Sequence, residues 1–211
     1  MGTIPLVRQE TSSNDLGAER VAGAILFMLA LPVMAVAALV LWMLCGRSPL
    51  IAHRRVGWRG RTLWMLKLRT MWGGDDRSQR AWIEHIDDDT GPEQKSENDP
   101  RVPSRLARFC RRHSIDELPQ LWHVATGEMS LVGPRPMTER ELVAHYGDDA
   151  GEILRAKPGL AGLWQVSGRN RLTYEERRRL DLRLVRDRSV GMYFGILLRT
   201  LPEVFSGENS W

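Results

Sequence analysis

Two adjacent carboxylates, Asp116 and Glu117, stand in the stretch RRHSIDELPQLW, directly after a run of cations. A free aspartate has a pKa of ~3.9 and is therefore ionised at neutral pH. Such a carboxylate can attack phosphorus without a general base and form an aspartyl phosphate, which stays reactive enough to pass its group to another phosphate. The pair could also hold a divalent cation that binds a diphosphate. This stretch therefore indicates phosphate-transfer chemistry.

A purely structural interpretation of the same residues stays open. The sequence of residues 114–117 matches the capping box S-x-x-E, in which Ser114 caps a helix and Glu117 bonds back to it. Asp116 would then favour the positive end of the helix dipole. Pro119 fits this poorly, because its ring follows just beyond the first turn, where a backbone donor is wanted. The two interpretations are compatible, since a helix N-terminus also binds anions.

Arginines around the pair favour an anion-binding pocket. Residues 101–112 contain five arginines and no acid, and three of the five repeat at the spacing of one helix face. Arginine binds phosphate bidentately, and the motif GPRP holds Arg135 on a turn between prolines. A solvated or headgroup-facing surface is the alternative. Nucleic acid is not expected as a partner, because only Phe109 places an aromatic ring among these arginines. The five are Arg101, Arg105, Arg108, Arg111 and Arg112.

The element that precedes these groups is an apolar segment, residues 21–45, which carries no charge. As a helix it would be roughly 37 Å long, which is enough to cross a hydrocarbon core of ~30 Å. Pro32 lies near its middle and removes one backbone donor. The segment therefore either spans as a kinked helix or bends at Pro32 and returns to the same face. The residues by themselves favour the spanning alternative.

Flanking charge predicts the side of the membrane on which the rest of the chain lies. Residues 47–69 carry seven Lys and Arg and no acid, whereas residues 1–20 carry two arginines against three acids. By the positive-inside rule the larger C-terminal part is cytoplasmic, and its basic cluster should bind anionic membrane lipids. We expect a protein of the inner membrane, with a flexible polar tail over residues 1–19, a membrane-inserted helix over 20–46 and a catalytic domain over 47–211.

Composition and pattern indicate a mixed α/β, mostly helical fold. The chain has 211 residues and a net charge of +4, which suits one domain. Its two cysteines, Cys45 and Cys110, lack CxxC spacing, so a disulfide framework or a zinc site is not expected. The predicted elements are a β-hairpin around GWRG in 50–71, an acidic loop over 73–99, a helix from residue 104, a short strand and turn in SLVGPRP, a helix from 136 to about 155, a charged helix from about 173 to 188 and an interfacial helix in the apolar C-terminal stretch.

Taken together, the motifs resemble the monotopic polyprenyl-phosphate phosphoglycosyl transferases, the bacterial sugar transferases that start surface-polysaccharide assembly. Several long motifs in one order are far more specific than any short motif. The resemblance covers nearly everything after residue 20 and is closest to stand-alone exopolysaccharide-initiating members. It rests on RRVGWRGRTLWMLKLRTM, NDPRVPSRLARFCRRHSIDELPQLWHVATGEMSLVGPRP, KPGLAGLWQVSGRN, YEERRRLDLRLV and ILLRTLPEVF.

The resemblance implies that the chain transfers a sugar-1-phosphate from a UDP-sugar to undecaprenyl phosphate and releases UMP. Asp116 would be the nucleophile, and Glu117 would assist through Mg²⁺ or as a base, with both carboxylates as metal ligands. It also implies a re-entrant helix broken at Pro32, which replaces the spanning alternative, and a cytoplasmic α/β domain with interfacial amphipathic helices. The residues implied in substrate binding are Lys67, Arg69, Arg111, Arg112, Arg135, Gln165, Arg169 and Asp181.

The sequence departs from the family pattern near its apolar segment. Leu31 stands where the family often has a serine before the proline, and Gly23 replaces a common acid. UDP-galactose or UDP-glucose is the expected donor, with an N-acetylated sugar as the alternative. The oligomeric state, with a homodimer as one option, is left open. Two other functions also stay open: a membrane-anchored interaction protein, and a hydrolase that passes the same phospho-aspartate to water.

Overall fold

The structure, a computed structural model, describes residues 13–72, 82–87 and 101–206. Helices outweigh strands in these ranges, and the mixed α/β, mostly helical fold class is confirmed. The described helices are α1 (Ser13–Cys45), α2 (Arg105–Arg112), α3 (Leu121–Thr126), α4 (Glu139–Tyr146), α5 (Ala150–Ile153), α6 (Tyr174–Arg186) and α7 (Val190–Ser206). The described strands are β1 (Leu50–Val56), β2 (Thr62–Leu68), β3 (Ile83–Ile86), β4 (Ser130–Val132) and β5 (Gly159–Ala161).

The predicted hairpin around GWRG is confirmed. Strands β1 and β2 pair antiparallel from Leu50 opposite Leu68 to Val56 opposite Thr62. Arg59 in the connecting turn takes a positive φ of 57°. The hairpin carries Lys67 at its far end, so its register fixes where that side chain emerges.

A third strand joins this sheet from the acidic stretch that was predicted to be a solvated loop. Strand β3 pairs parallel with β1, which gives the order β2-β1-β3. The loop prediction is therefore wrong for 83–86, and the rest of it, residues 73–81 and 88–99, lies outside the described residues. The physical reason is that the Glu84 side chain is mostly shielded from solvent. Its carboxylate accepts hydrogen bonds from Arg69 Nη2 at 2.5 Å and from Arg47 Nη2 at 3.4 Å.

The short strands β4 and β5 form a separate parallel pair that brings two proline-containing turns together. Gly133 N donates to Ala161 O at 2.9 Å, and Gly159 N donates to Pro134 O at 2.8 Å. The backbones approach so closely that a Cβ on Gly159 would lie 2.0 Å from Gly133 N. This contact fixes the turn that carries Arg135.

The helices after Pro136 follow the predictions with one correction. The charged helix is confirmed as α6, whose N-cap Thr173 forms a capping box with Glu176. The helix predicted from residue 136 to about 155 is instead two helices, α4 and α5. Gly147, with φ 48° and ψ −121°, ends α4 because it leaves helical geometry, and a 3₁₀ turn over Gly147–Asp149 follows.

Helix α1 contains the apolar segment, and Gly17–Cys45 is the one helix of the described residues that is long and apolar enough to cross a membrane. It is continuous across Pro32, so the predicted break is not confirmed. Its C-terminal half packs on the part of the chain that follows it, where Ala37 and Leu41 join a core cluster with Leu68 and Cys110.

The N-terminal end of α1 is also tied to the rest of the chain. Glu19 Oε1 accepts hydrogen bonds from Ser130 Oγ at 2.6 Å, Leu131 N at 2.8 Å and the Tyr193 hydroxyl at 2.8 Å. One turn later, a Cβ on Gly23 would lie 2.7 Å from a side-chain carbon of α3. Gly23, which replaces an acid that is common in the family, therefore permits α1 and α3 to approach closely.

Candidate active site

Asp116 and Glu117 lie in a 3₁₀ helix, Ile115–Gln120, that connects α2 to α3. The capping-box interpretation is wrong for this segment. Ser114 takes a left-handed conformation, with φ 55° and ψ 23°, and its side chain makes no capping hydrogen bond. The left-handed residue reverses the chain after α2, and Pro119 inside the following turns supplies no backbone donor.

Asp116 is buried, with 3% of its surface exposed, although it is an acidic residue. It lies close enough to Cys110 to act on that thiol electrostatically. Burial, and secondly the charge of Asp116, raise the pKa of Cys110 to about 11, so this thiol stays neutral. A carboxylate held away from bulk water is a stronger electrostatic partner for a substrate than one in water.

Lys67 and Glu117 were both predicted site residues, and the structure brings them together across fifty positions of sequence. Lys67 Nζ donates to Glu117 Oε1 at 2.9 Å, with both side chains mostly shielded from solvent. The pair places a cation directly beside the dipeptide that carries Asp116.

His123 joins strand β2, which carries Lys67, to α3, which follows the 3₁₀ helix that carries Glu117. Its Nε2 accepts the backbone N–H of Leu66 at 3.2 Å, and its Nδ1 lies 2.7 Å from Glu128 Oε2. Because Nε2 accepts, Nδ1 carries the proton and donates to Glu128. Strand β2, which carries Lys67, is thereby bonded to α3. His123 lies within the long motif that also contains Asp116 and Glu117, but no spacing in the sequence indicated a role for it.

The arginines of α2 divide between its two faces. Arg105, Arg108 and Arg112 are exposed, as their spacing predicted. Arg111 is buried, and its Nε has no hydrogen-bond partner among the described residues. A buried arginine nitrogen that faces no acceptor is a group that an anionic ligand would satisfy.

Trp164 is the centre of a second cluster, formed by the GPRP turn and α6. The guanidinium carbon of Arg135 lies 5.9 Å from the centre of the Trp164 ring, and that of Arg177 lies 4.7 Å from it. Arg177 also donates to the backbone carbonyl of Arg169 at 3.4 Å, and Arg169 Nε donates to that of Gln165 at 3.2 Å. The predicted residues 135, 165 and 169 are therefore neighbours in this cluster.

Asp181 completes the cluster from the buried side of α6. It is fully buried, and its Oδ2 accepts the Tyr146 hydroxyl at 2.7 Å. Burial raises the pKa of Asp181 to about 7, against the opposing effects of the Tyr146 hydrogen bond and of the charges of Arg135 and Arg177. Sequence reasoning found Asp181 but missed Tyr146, Trp164 and Arg177, whose roles depend on packing between distant elements.

Arg69 is the predicted site residue that the structure places elsewhere. Its Nε donates to Ser48 O at 2.7 Å, its Nη2 pairs with Glu84, and only 4% of its surface is exposed. These bonds commit the guanidinium to the sheet β2-β1-β3. Its predicted contact with substrate has no support in this geometry, and the scaffold role explains why an arginine stands there.

The donor set at Asp116 and Glu117 fits a magnesium ion. Within the described residues no three His, Cys, Asp or Glu side chains group as a metal site. Mg²⁺ does not require such a cage, because it usually retains several waters and binds through one or two carboxylates together with substrate phosphates. Asp116 and Glu117 would be the residues that hold it.

Known proteins resemble this chain over most of its length. Residues 16–207 match the family described as "Bacterial sugar transferase". The chain is 40% identical over 177 residues to the UDP-galactose-lipid carrier transferase of Erwinia amylovora, an alignment that covers 79% of this chain and 35% of that protein. The chain therefore spans about a third of the length of that relative.

Two further relatives are covered over most of their length. The exopolysaccharide production protein ExoY of Sinorhizobium fredii is 39% identical over 170 residues, which cover 79% of this chain and 74% of that protein. The UDP-glucose:undecaprenyl-phosphate glucose-1-phosphate transferase of Caulobacter vibrioides is 33% identical over 221 aligned positions, which cover 100% of this chain and 76% of that protein.

Proposed function

The chain belongs to the bacterial sugar transferase family, and from this premise we propose that it transfers a sugar-1-phosphate from a UDP-sugar to undecaprenyl phosphate. This reaction would be the first membrane step of exopolysaccharide or capsule synthesis. The observation that carries the proposal is that buried Asp116 directly precedes Glu117, whose carboxylate pairs with Lys67, while Arg111 is buried on the helix before them. A nucleophile and cations in one place are what transfer between two phosphates needs.

The proposed reaction has two steps that use the same carboxylate. An oxygen of Asp116 attacks the β-phosphorus of the UDP-sugar, the bond from that phosphorus to the bridging oxygen breaks, and UMP leaves. An oxygen of undecaprenyl phosphate then attacks the same phosphorus and displaces Asp116. The products are a sugar-diphosphate lipid and the original carboxylate, so no oxidant or further reactant is required.

Cations would stabilise the charge that develops on the transferred phosphoryl group. Lys67 lies beside the carboxylate pair and Arg111 is buried on the preceding helix, so both are placed to hold phosphate oxygens. Mg²⁺ bound by Asp116 and Glu117 would neutralise charge on the diphosphate. In the second step Glu117 would assist the incoming lipid phosphate.

The donor sugar is proposed to be galactose or glucose. The Erwinia relative is named for UDP-galactose and the Caulobacter relative for UDP-glucose. Both names contain a UDP-sugar and a lipid acceptor, which only the second name specifies as undecaprenyl phosphate, and the two sugars differ. The shared donor and acceptor classes therefore support the proposed reaction for this chain, and an assay must identify the sugar.

We propose a re-entrant position of α1 in the membrane, which its packing supports, and a cytoplasmic position of the domain that follows, which the basic residues of 47–69 support. Glu19 near its start and Leu41 near its end both contact the part of the chain that follows α1. A straight helix that crossed the bilayer would separate these two positions by roughly 33 Å along its axis. Since one domain holds both ends, we propose that α1 enters and leaves on one side, with its exposed apolar side chains in lipid.

Thiol labelling tests this topology. Gly17→Cys is exposed, and a Cβ there meets nothing within 4 Å, so the variant should fold. In a Cys45→Ser background, a membrane-impermeant maleimide should label this cysteine and a second one at Arg61→Cys in inside-out vesicles only. Labelling of the two sites from opposite sides would contradict the proposal and favour a spanning α1. Cys110 is buried and serves as an internal unlabelled thiol.

The activity itself is tested with purified, detergent-solubilised protein. It would receive undecaprenyl phosphate, Mg²⁺ and a panel of UDP-sugars, and UMP would be measured. We expect UMP release with UDP-galactose or UDP-glucose that depends on the lipid phosphate. Continued release without lipid, beyond one UMP per enzyme molecule, would indicate a hydrolase, and no release with any UDP-sugar would favour an interaction protein.

A further inference from the structure

The cluster around Trp164 contains polar atoms that are buried and unsatisfied. Asp181 accepts the Tyr146 hydroxyl through Oδ2 alone. Buried polar atoms are normally hydrogen-bonded, so a group of exceptions requires an explanation. The atoms with no hydrogen-bond partner among the described residues are Trp164 Nε1, Gln165 Oε1, Arg177 Nε and Asp181 Oδ1.

We infer that Asp181 and Tyr146 are positioning residues for Arg135: the buried carboxylate, held by the tyrosine hydroxyl, draws the Arg135 guanidinium toward the face of Trp164 and so sets its direction toward a diphosphate. The inference deepens the proposed function and rests on it, because the diphosphate of a UDP-sugar is the anion that Arg135 would bind. Trp164 and Arg177 complete the unit.

The backbone and the side chain of Arg135 are fixed by different partners. The GPRP turn is fixed by the two backbone bonds that Gly133 and Pro134 exchange with β5. The guanidinium lies 5.9 Å from the Trp164 ring centre and interacts electrostatically with Asp181. The face of an aromatic ring attracts a cation but restrains its movement parallel to the ring only weakly. The Asp181 carboxylate adds an opposite charge that attracts the guanidinium from the side of α6.

Protonation of Asp181 should therefore weaken its attraction for the Arg135 guanidinium. The groups that act on Asp181 are Tyr146 from α4, Arg135 from the GPRP turn and Arg177 from its own helix, while Glu141 of α4 acts on the Tyr146 hydroxyl. With a pKa of about 7, Asp181 loses its charge as the pH falls through neutrality. The Tyr146 hydrogen bond lowers that pKa, so its removal should move the transition to higher pH.

The experiment uses the full chain in detergent and two readouts. The first is the affinity for UDP between about pH 6 and pH 9, a range that brackets the titration of a group with this pKa. The second is the rate at which phenylglyoxal modifies Arg135, followed by peptide mass spectrometry. The variants are Asp181→Asn, Tyr146→Phe and, as a matched control on the same helix, Arg179→Gln, whose wild-type side chain forms an exposed pair with Glu175.

Three results are expected. Asp181→Asn should weaken UDP binding roughly ten-fold at pH 8, the size of a lost charge-assisted contact, and remove its pH dependence. It should also speed the modification of Arg135. Tyr146→Phe should bind UDP as the wild type does at high pH and lose affinity at a higher pH than the wild type. Arg179→Gln should change neither readout.

The inference fails if Arg135 is modified at the wild-type rate in Asp181→Asn. If Asp181→Asn does not fold, the pH shift of Tyr146→Phe decides, because its ring still fills the same core position. A wild-type protein that binds no UDP would refute the proposed function instead. The phenylglyoxal readout would still test the positioning of Arg135 in that case.

Discussion

Asp116→Asn is expected to abolish UMP release, with a fall in kcat on the order of 10³-fold or more, because the amide cannot form the acyl phosphate. The change keeps the size of the side chain in its buried position, so folding should be retained. Stopped reactions of the wild type with labelled UDP-sugar, without lipid acceptor, should give a sugar-phosphate adduct on the peptide that contains Asp116. The variant should give none.

The matched control is Asp148→Asn, the same chemical change at an exposed position of the 3₁₀ turn after α4. It should retain wild-type UMP release. Glu117→Gln should fall between the two, since it keeps the nucleophile but weakens the contact with Lys67. Full UMP release by Asp116→Asn, or an adduct on a different residue, would refute the assignment of Asp116 as nucleophile.

Gly159→Ala is expected to destabilise the fold by ~3 kcal/mol or more, which is the upper part of the range for overpacking a core. The added Cβ would lie 2.0 Å from Gly133 N and 2.5 Å from Gly133 Cα, and neither backbone atom can rotate away. For a domain of this size such a loss lowers Tm by roughly 6–12 °C. Differential scanning fluorimetry in detergent would measure it. Because Gly133 leads into the turn that carries Arg135, UDP affinity should fall as well.

Gly191→Ala is the control for this change. A Cβ at Gly191, in α7, meets nothing within 4 Å, and alanine favours a helix over glycine. Its Tm should equal that of the wild type or exceed it slightly. If Gly159→Ala melted with the wild type and bound UDP equally well, the contact between the two turns would not be needed to fix the site.

The sequence predicted those elements that depend on near neighbours. The hairpin around GWRG, the basic face of α2 and the capped helix α6 all arise from residues within a few positions of one another, and the structure confirms them. The order of the long motifs likewise indicated the family. The prediction for Ser114 was wrong because a matching capping pattern is only permissive, and here the chain reverses at a left-handed residue.

The sequence alone determined that two carboxylates would stand among arginines beside an apolar helix, because composition and spacing are properties of the chain itself. The tertiary structure decided which donor side chain meets which acid. Lys67 reaches Glu117 across fifty positions and Tyr146 reaches Asp181 across thirty-five, while Arg69 pairs with Glu84 and stays in the scaffold. Any of these arginines or lysines offers the same charge, so only the packing of sheet, turn and helix could select the partners.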